Sequence, residues 1–221
     1  MTRKILFGFA ALILASLACS TLTRSTNRVV GSGHVVSEPR TVGSFTSVAL
    51  AGSADVNILL GDKGSVNVEA DDNILPLIET TVKDDTLVIG TKPLTNIAPS
   101  SHVVVTVVVK SLKGTTLSGS GNMNIGAMSG TDLLINLPGS GDITAEGAVD
   151  HLTVNLLGSG HVDCHHLKAR SANVTLTGSG DINVNATESL NASIVGSGNI
   201  RYEGNPAQVT KSITGSGTIT P

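Results

Sequence analysis

Leu137-Pro138-Gly139-Ser140-Gly141-Asp142-Ile143 returns 19 residues later as Leu156-Leu157-Gly158-Ser159-Gly160-His161-Val162, and 20 residues after that as Leu176-Thr177-Gly178-Ser179-Gly180-Asp181-Ile182. The Gly-Ser-Gly triplet occurs seven times, beginning at Gly31, Gly119, Gly139, Gly158, Gly178, Gly196 and Gly215. From Gly119 onward the steps are 20, 19, 20, 18 and 19 residues. A repeat of this length signals stacked coils. Each coil is too small to bury its own apolar face, so it must bury it against its neighbours.

The residues around the triplet show which way the side chains point. Two places after it stand Val35, Met123, Ile143, Val162, Ile182, Ile200 and Ile219, all apolar. The flanking positions are mostly polar, as in Asp142 and Thr144, His161 and Asp163, Asp181 and Asn183. This alternation with period two marks a strand with one buried face. Upstream, Leu117, Leu137, Leu156, Leu176, Ile194 and Ile213 form an inward row, and Thr116, Asn136, Asn155, Thr175, Ser193 and Ser212 an outward one. Two strands per coil are therefore predicted, with the triplet at the corner between them. Glycine suits such a corner because it has no Cβ to obstruct close stacking. The paired corner glycines are Gly119 and Gly121, Gly139 and Gly141, Gly158 and Gly160, Gly178 and Gly180, Gly196 and Gly198, Gly215 and Gly217. The expected fold is all-β: a single-stranded parallel β-helix, or β-solenoid, of about 19–20 residues per coil. The chirality rule for parallel crossovers makes it right-handed. Four places before the triplet a second inward row runs Thr115, Ile135, Val154, Val174 and Ala192, which Lys211 breaks in the last coil; Lys211 and the later Pro221 discourage further edge pairing.

Three segments are expected. Residues 1–19 read as a signal peptide. Arg3 and Lys4 precede the apolar run Ile5–Ala18, whose 14 residues are too few to span a bilayer but suit a signal core. The run ends in Leu14-Ala15-Ser16-Leu17-Ala18-Cys19, which resembles a bacterial lipobox with Cys19 as the lipidated residue. Cleavage after Ala18 or Ser20 without lipid is the alternative. Residues 20–28 are a polar tether, of a composition that gives flexible linkers. Residues 29–221 form the solenoid, with irregular coils over 52–118 and regular ones over 119–221. Within the irregular part, Gly52-Ser53-Ala54-Asp55-Val56 is a degenerate copy of the repeat, and Val103–Val109 is apolar on both faces. That run is either covered on both sides or an adhesive edge.

Composition narrows the function. The formal charge is −3, and removing Arg3 and Lys4 makes it −5. No basic patch stands out, so nucleic acid is not an expected partner. Beyond residue 19 only Phe45 and Tyr202 are aromatic. A β-helix enzyme acting on polysaccharide would want aromatic platforms and clustered charges, so no catalytic residue is assigned. With Cys19 lipidated or removed, Cys164 has no disulfide partner in the chain. The cluster His161-Val162-Asp163-Cys164-His165-His166, with His151 nearby, contains metal-ligand chemistry. The register nevertheless points Cys164 inward and His161 and Asp163 outward, and a metal needs all its ligands within about 2–2.3 Å. No metal and no cofactor are expected. In its own ladder His161 lies between Asp142 and Asp181. The triplets are not phosphate loops, since no Lys-Ser/Thr follows and no helix opens. Nine-residue calcium repeats differ in period.

One further likeness rests on Arg40-Thr41-Val42-Gly43-Ser44-Phe45-Thr46-Ser47-Val48, Asp55-Val56-Asn57-Ile58, Gly61-Asp62, Val66-Asn67-Val68-Glu69-Ala70-Asp71-Asp72-Asn73, Asp85-Thr86-Leu87-Val88-Ile89 and the Gly-Ser-Gly-Asp ladder. From about Val29 to Pro221 the chain resembles the bacterial family described as putative auto-transporter adhesin, head GIN domain. The resemblance implies a β-helix on exported, often lipid-anchored proteins, and no catalytic residues.

The expected function is a non-enzymatic cell-envelope protein, lipid-anchored at Cys19 or else secreted, that offers a surface for adhesion or binding. The candidate surface is the ladder of Asn136, Asn155, Thr175, Ser193, Asp142, His161 and Asp181. Expected partners are the membrane, through the anchor, and a protein or glycan at the surface. An envelope scaffold that self-associates through the valine-rich segment or an open end of the helix is the alternative. A polysaccharide-active enzyme using an acid such as Asp163 is a more distant one.

Overall fold

The computed structural model describes residues 28–221; the expected signal peptide, Cys19 and nearly all of the tether lie outside them. The chain begins with β1 (Arg28–Val30), β2 (Val35–Arg40), β3 (Ser47–Gly52), β4 (Asp55–Leu60) and β5 (Ser65–Asp71). After a short 3₁₀ turn at Leu75–Leu77 come β6 (Ile78–Lys83), β7 (Thr86–Thr91), β8 (Asn96–Ala98) and β9 (Val104–Val109). The regular part holds β10 (Gly114–Gly119), β11 (Asn122–Leu137), β12 (Asp142–Gly158), β13 (His161–Gly178), β14 (Asp181–Gly196), β15 (Asn199–Glu203), β16 (Gln208–Gly215) and β17 (Thr218–Thr220).

From β10 onward every pairing is parallel and in repeat register. Met123 pairs with Ile143, Ile143 with Val162, Val162 with Ile182, Ile182 with Ile200, and Ile200 with Ile219. Successive coils are thus a strand spacing of about 4.8 Å apart, and the stack is the expected β-solenoid. Up to β14 the inward rows are buried, and each Leu, Ile or Val taken out of water contributes about 1.5–3 kcal/mol; Ile213 of the last coil is exposed. The pattern inside each coil differs from the expected pair of strands. β11 to β14 each run continuously for 16 to 18 residues. The second bend is a bulge in the ladder, for instance between Thr144 and Gly147 or Cys164 and Lys168. Hydrogen bonding resumes beyond it, so no loop intervenes.

The triplets stack as glycine on glycine. A Cβ at Gly178 would lie 2.2 Å from the Gly158 carbonyl oxygen, and one at Gly180 would lie 2.3 Å from that of Gly160. The degenerate copy joins this column, since Gly52 pairs with Gly119 and Asp55 with Asn122. The stack therefore begins with β3 and β4.

Below that coil the architecture changes. β7 lies parallel under β3 and β9 parallel under β4, but β6 then pairs antiparallel with β7, β5 with β9, and β2 with β5. The irregular segment is thus partly antiparallel, where continuous longer coils were expected. The valine run is a central strand between β4 and β5. Both its edges are occupied, so it offers no edge for self-association. The first Gly-Ser-Gly copy is no corner either. It precedes β2, where Val35 is 44 % exposed and sits opposite Asp71 in an antiparallel pair. The reason is the lack of a coil glycine for Gly31 to stack upon.

Candidate functional site

Because the register repeats, outward side chains line up along the solenoid. The row after each corner reads Asp55, Asn122, Asp142, His161, Asp181, Asn199 and Thr218. Its neighbours bond to one another. Asn122 Nδ2 donates to Asp55 Oδ1 at 2.7 Å, Asn199 Nδ2 to Asp181 Oδ1 at 2.9 Å, and Thr218 Oγ1 to Asn199 Oδ1 at 2.7 Å. Two residues on, Asn124 Nδ2 donates to Asn57 Oδ1 at 3.0 Å and Thr144 Oγ1 to Asn124 Oδ1 at 2.7 Å. A side-chain amide has more hydrogen-bonding sites than one such bond uses. These bonded rungs are therefore held by a neighbour and still offer donors or acceptors to a partner, while Asp142, Thr175 and Ser193 stand in register without such a bond among the described residues.

The row before the corners places Asn136, Asn155, Thr175 and Ser193 in register, as expected. Asn155 Nδ2 donates to Asn136 Oδ1 at 2.9 Å. Two residues upstream of that row, Asn191 Nδ2 donates to Asn173 Oδ1 at 3.1 Å. Shallow grooves follow these ladders. One is lined by Asp55, Asn57, Asn122, Asn124, Asp142 and Thr144. Another runs past His151, Thr153, Asn173, Asn191 and Thr210.

The histidine cluster divides as its register requires. Cys164 is fully buried and pairs with Val184. Burial, with a smaller effect from the Asp163 charge, pushes its thiol up to about 12. His161 lies between Asp142 and Asp181 in the ladder, but its Nε2 is nearest Asn183 Nδ2, at 3.5 Å. One contact escaped sequence reasoning. His165 Nδ1 lies 2.6 Å from Asp163 Oδ1, and the His165 ring centroid is 3.6 Å from that of His166. The bulge after Cys164 brings these groups together, and a bulge has no signature in a regular repeat. Partial burial raises the Asp163 pKa, but the bonds and charge of His165 outweigh this and hold it below the usual carboxylate value. The pair orients an imidazole. Cys164, the thiol on the same strand, faces the core and not this pair.

A second residue missed by sequence reasoning is Asp71, which is fully buried. Its carboxylate accepts the backbone N–H of Gly33 at 3.0 Å, of Ser100 at 2.7 Å and of Ser101 at 3.2 Å. Burial alone would raise its pKa, but these bonds together lower it below the usual value. Asp71 ties the first Gly-Ser-Gly segment to the loop before β9. The Asp71-Asp72-Asn73 run at the end of β5 was the available signal.

Residues 44–206 match the family model described as "Putative auto-transporter adhesin, head GIN domain". Solved structures share the fold. A "putative adhesin" from Bacteroides fragilis superposes with a TM-score of 0.72 at 23% identity, covering 87% of this chain and 99% of that one. A "putative lipid binding protein" from Parabacteroides distasonis gives 0.54 at 27% identity, covering 87% and 98%. A "putative adhesin" from Parabacteroides merdae gives 0.57 at 23% identity, with 87% and 98% covered. No curated protein matches the sequence.

Proposed function

This chain belongs to the head GIN domain family, and we propose that it works as a non-enzymatic binding module of the cell envelope. The solenoid presents its hydrogen-bonded polar ladders to an extended partner, a glycan or a protein surface. Cys19 carries the lipid that holds it at the membrane. The observation that carries this reading is the internally bonded ladder itself. Its bonded rungs, such as Asn136 with Asn155 and Asp181 with Asn199, are restrained before any partner arrives, so less side-chain freedom is lost there on binding. The flat shape suits an extended partner better than a small molecule, which prefers an enclosing pocket. The adhesin descriptions of the family and of two of the similar structures support the same reading, and the lipobox-like end at Cys19 supports the anchor.

The test is binding of the labelled chain to a glycan array and to intact bacterial and host cells, beside a variant carrying Asn155→Lys and Thr175→Lys. Both positions are outward, so the fold should survive and circular dichroism should not change. Binding that is lost in the variant is the expected outcome. Equal binding by both chains would remove the ladder from the proposal, and turnover of any glycan on the array would replace it with the enzyme reading.

Self-association is a second reading, favoured by one observation. All eight residues of β16 are exposed, including Ile213 of the inward row and Val209, which pairs with Leu190. β16 is paired only with β14, which leaves its other edge open.

A further inference from the structure

The turn before β8 breaks two rules at once. Pro93 and Leu94 are its central residues, and Thr95 N–H donates back to the Lys92 carbonyl at 3.2 Å. Proline second and a positive φ third is the type II pattern, which favours glycine or asparagine at the third place. Leu94 stands there with φ +61°. Its side chain is also 80 % exposed, more than any other large apolar residue described. A strained backbone at an exposed leucine contributes nothing evident to folding, and such an outlier points to function.

The surroundings say what it meets. β8 pairs only with β1 in a two-stranded ribbon, Arg28 opposite Asn96 and Val30 opposite Ala98. Val29 and Ile97 pack on the core, so Arg28 and Val30 belong to the outer face. Val30 is 63 % exposed. Arg28 and Lys92 are exposed and enter no ion pair among the described residues. Nearby acids are few: Glu79 and Glu38 share a groove with Lys92, Glu38 being paired with Arg40 at 3.2 Å, and Asp72 lies beyond Val30 beside His34. Along the register the exposed side chains run Lys92, Leu94, Arg28 and Val30, so two cations alternate with two apolar groups. Arg28 is also where the chain arrives from Cys19, across Ser20 to Asn27. Nine residue steps reach at most about 30 Å.

We propose that this end of the solenoid rests on the bilayer, with Leu94 and Val30 entering the headgroup region and Arg28 and Lys92 facing anionic lipid phosphates. Such a contact is weak alone. A short leash makes it effective by raising the local concentration of membrane. The inference deepens the anchoring reading and depends on it in the cell. The long axis would then stand away from the membrane, leaving the polar ladders free.

The experiment supplies the anchor, so it does not depend on cellular lipidation. A chain beginning at Cys19 is coupled through that thiol to maleimide-lipid in vesicles of mixed neutral and anionic phospholipid. Cys164 is buried and does not compete. The sequence holds no tryptophan, so Leu94→Trp reports alone, and Thr214→Trp on β16 reports from the other end. Docking shifts the Leu94→Trp emission to shorter wavelength and exposes it to quenching by brominated lipid. Thr214→Trp stays unquenched, and adding Arg28→Glu and Lys92→Glu to Leu94→Trp reduces the effect. In the chain with native Leu94, amide exchange over 92–98 slows on tethering, and Leu94→Asp abolishes the slowing. Solution-like emission at position 94, equal quenching at both ends, or unchanged exchange in the native chain would each overturn the proposal. Failure of the anchoring reading looks different: the cell-made chain lacks lipid while the vesicle-tethered chain still docks.

Discussion

Replacing single glycines by alanine should separate the two demands that the corners make. A Cβ at Gly43 would meet nothing within 4 Å, and the backbone there is not left-handed, so Gly43→Ala is neutral or stabilises by up to about 1 kcal/mol through the unfolded chain. Gly33 has φ +78° but open space, so Gly33→Ala incurs conformational strain alone, about 1–2 kcal/mol. Gly178 has φ +132° and would place a Cβ 2.2 Å from the Gly158 carbonyl oxygen, which is backbone and cannot swing away. That oxygen also accepts the Ser179 N–H at 3.1 Å, a bond the collision must lengthen. Strain of about 1–3 kcal/mol and a lost bond of about 0.5–1.5 kcal/mol give roughly 2–4 kcal/mol for Gly178→Ala. In a domain of this size that lowers Tm by about 4–16 °C, against about 2–8 °C for Gly33→Ala. Thermal unfolding followed by far-UV circular dichroism measures all three. If Gly178→Ala cost no more than Gly33→Ala, stacking would not be the reason for glycine at the corners.

Three other side chains give outcomes that can be measured. Asp71→Asn should lower Tm at neutral pH, because an amide cannot replace a carboxylate that accepts three N–H groups; wild-type pKa is held below the ordinary 3.8, so its advantage is full above that value and lost as pH falls through the folded value, and the gap in Tm should close in acid. The Cys164 thiol should ignore Ellman's reagent in the native Cys19→Ala chain and react on unfolding. Because the unfolded thiol ionises near 9.0 and the folded one near 12, wild-type stability should fall by about 1.4 kcal/mol per pH unit between those values relative to Cys164→Ala, in urea titrations. Lys211 pairs with Ala192 and lies 4.7 Å from the Tyr202 ring centroid, with its ammonium donating to the Ile219 carbonyl. Lys211→Val completes an exposed apolar row, and sedimentation velocity should show stronger end-to-end association than in the wild type.

The regular coils were legible because identical corners impose identical neighbours. Met123, Ile143, Val162 and Ile182 can be aligned from spacing alone, and the structure pairs them so. The ladder rows were legible for the same reason, down to Asn136 beside Asn155. Where one coil does not lie upon another like it, spacing loses its meaning. Gly31-Ser32-Gly33 has the sequence of a corner and works as a partner of Asp71, because no glycine lies beneath it. Val103 to Val109 admitted two readings, and only the long-range pairing with β4 and β5 chose between them. The Asp163–His165 contact depends on a bulge, and the exposed Leu94 on a turn whose φ its residue type disfavours. Neither is implied by a repeat.

Whether Cys19 carries lipid decides where the solenoid works. The first measurement is therefore intact mass and detergent-phase partitioning of the chain made in a bacterial host, beside Cys19→Ala. The expected result is a mature chain that begins at Cys19, is heavier by a diacylglyceryl group and enters the detergent phase, with both properties lost in the variant. A lipid-free chain beginning at Cys19 or Thr21 and remaining in the aqueous phase would contradict the anchored module and leave a diffusible solenoid.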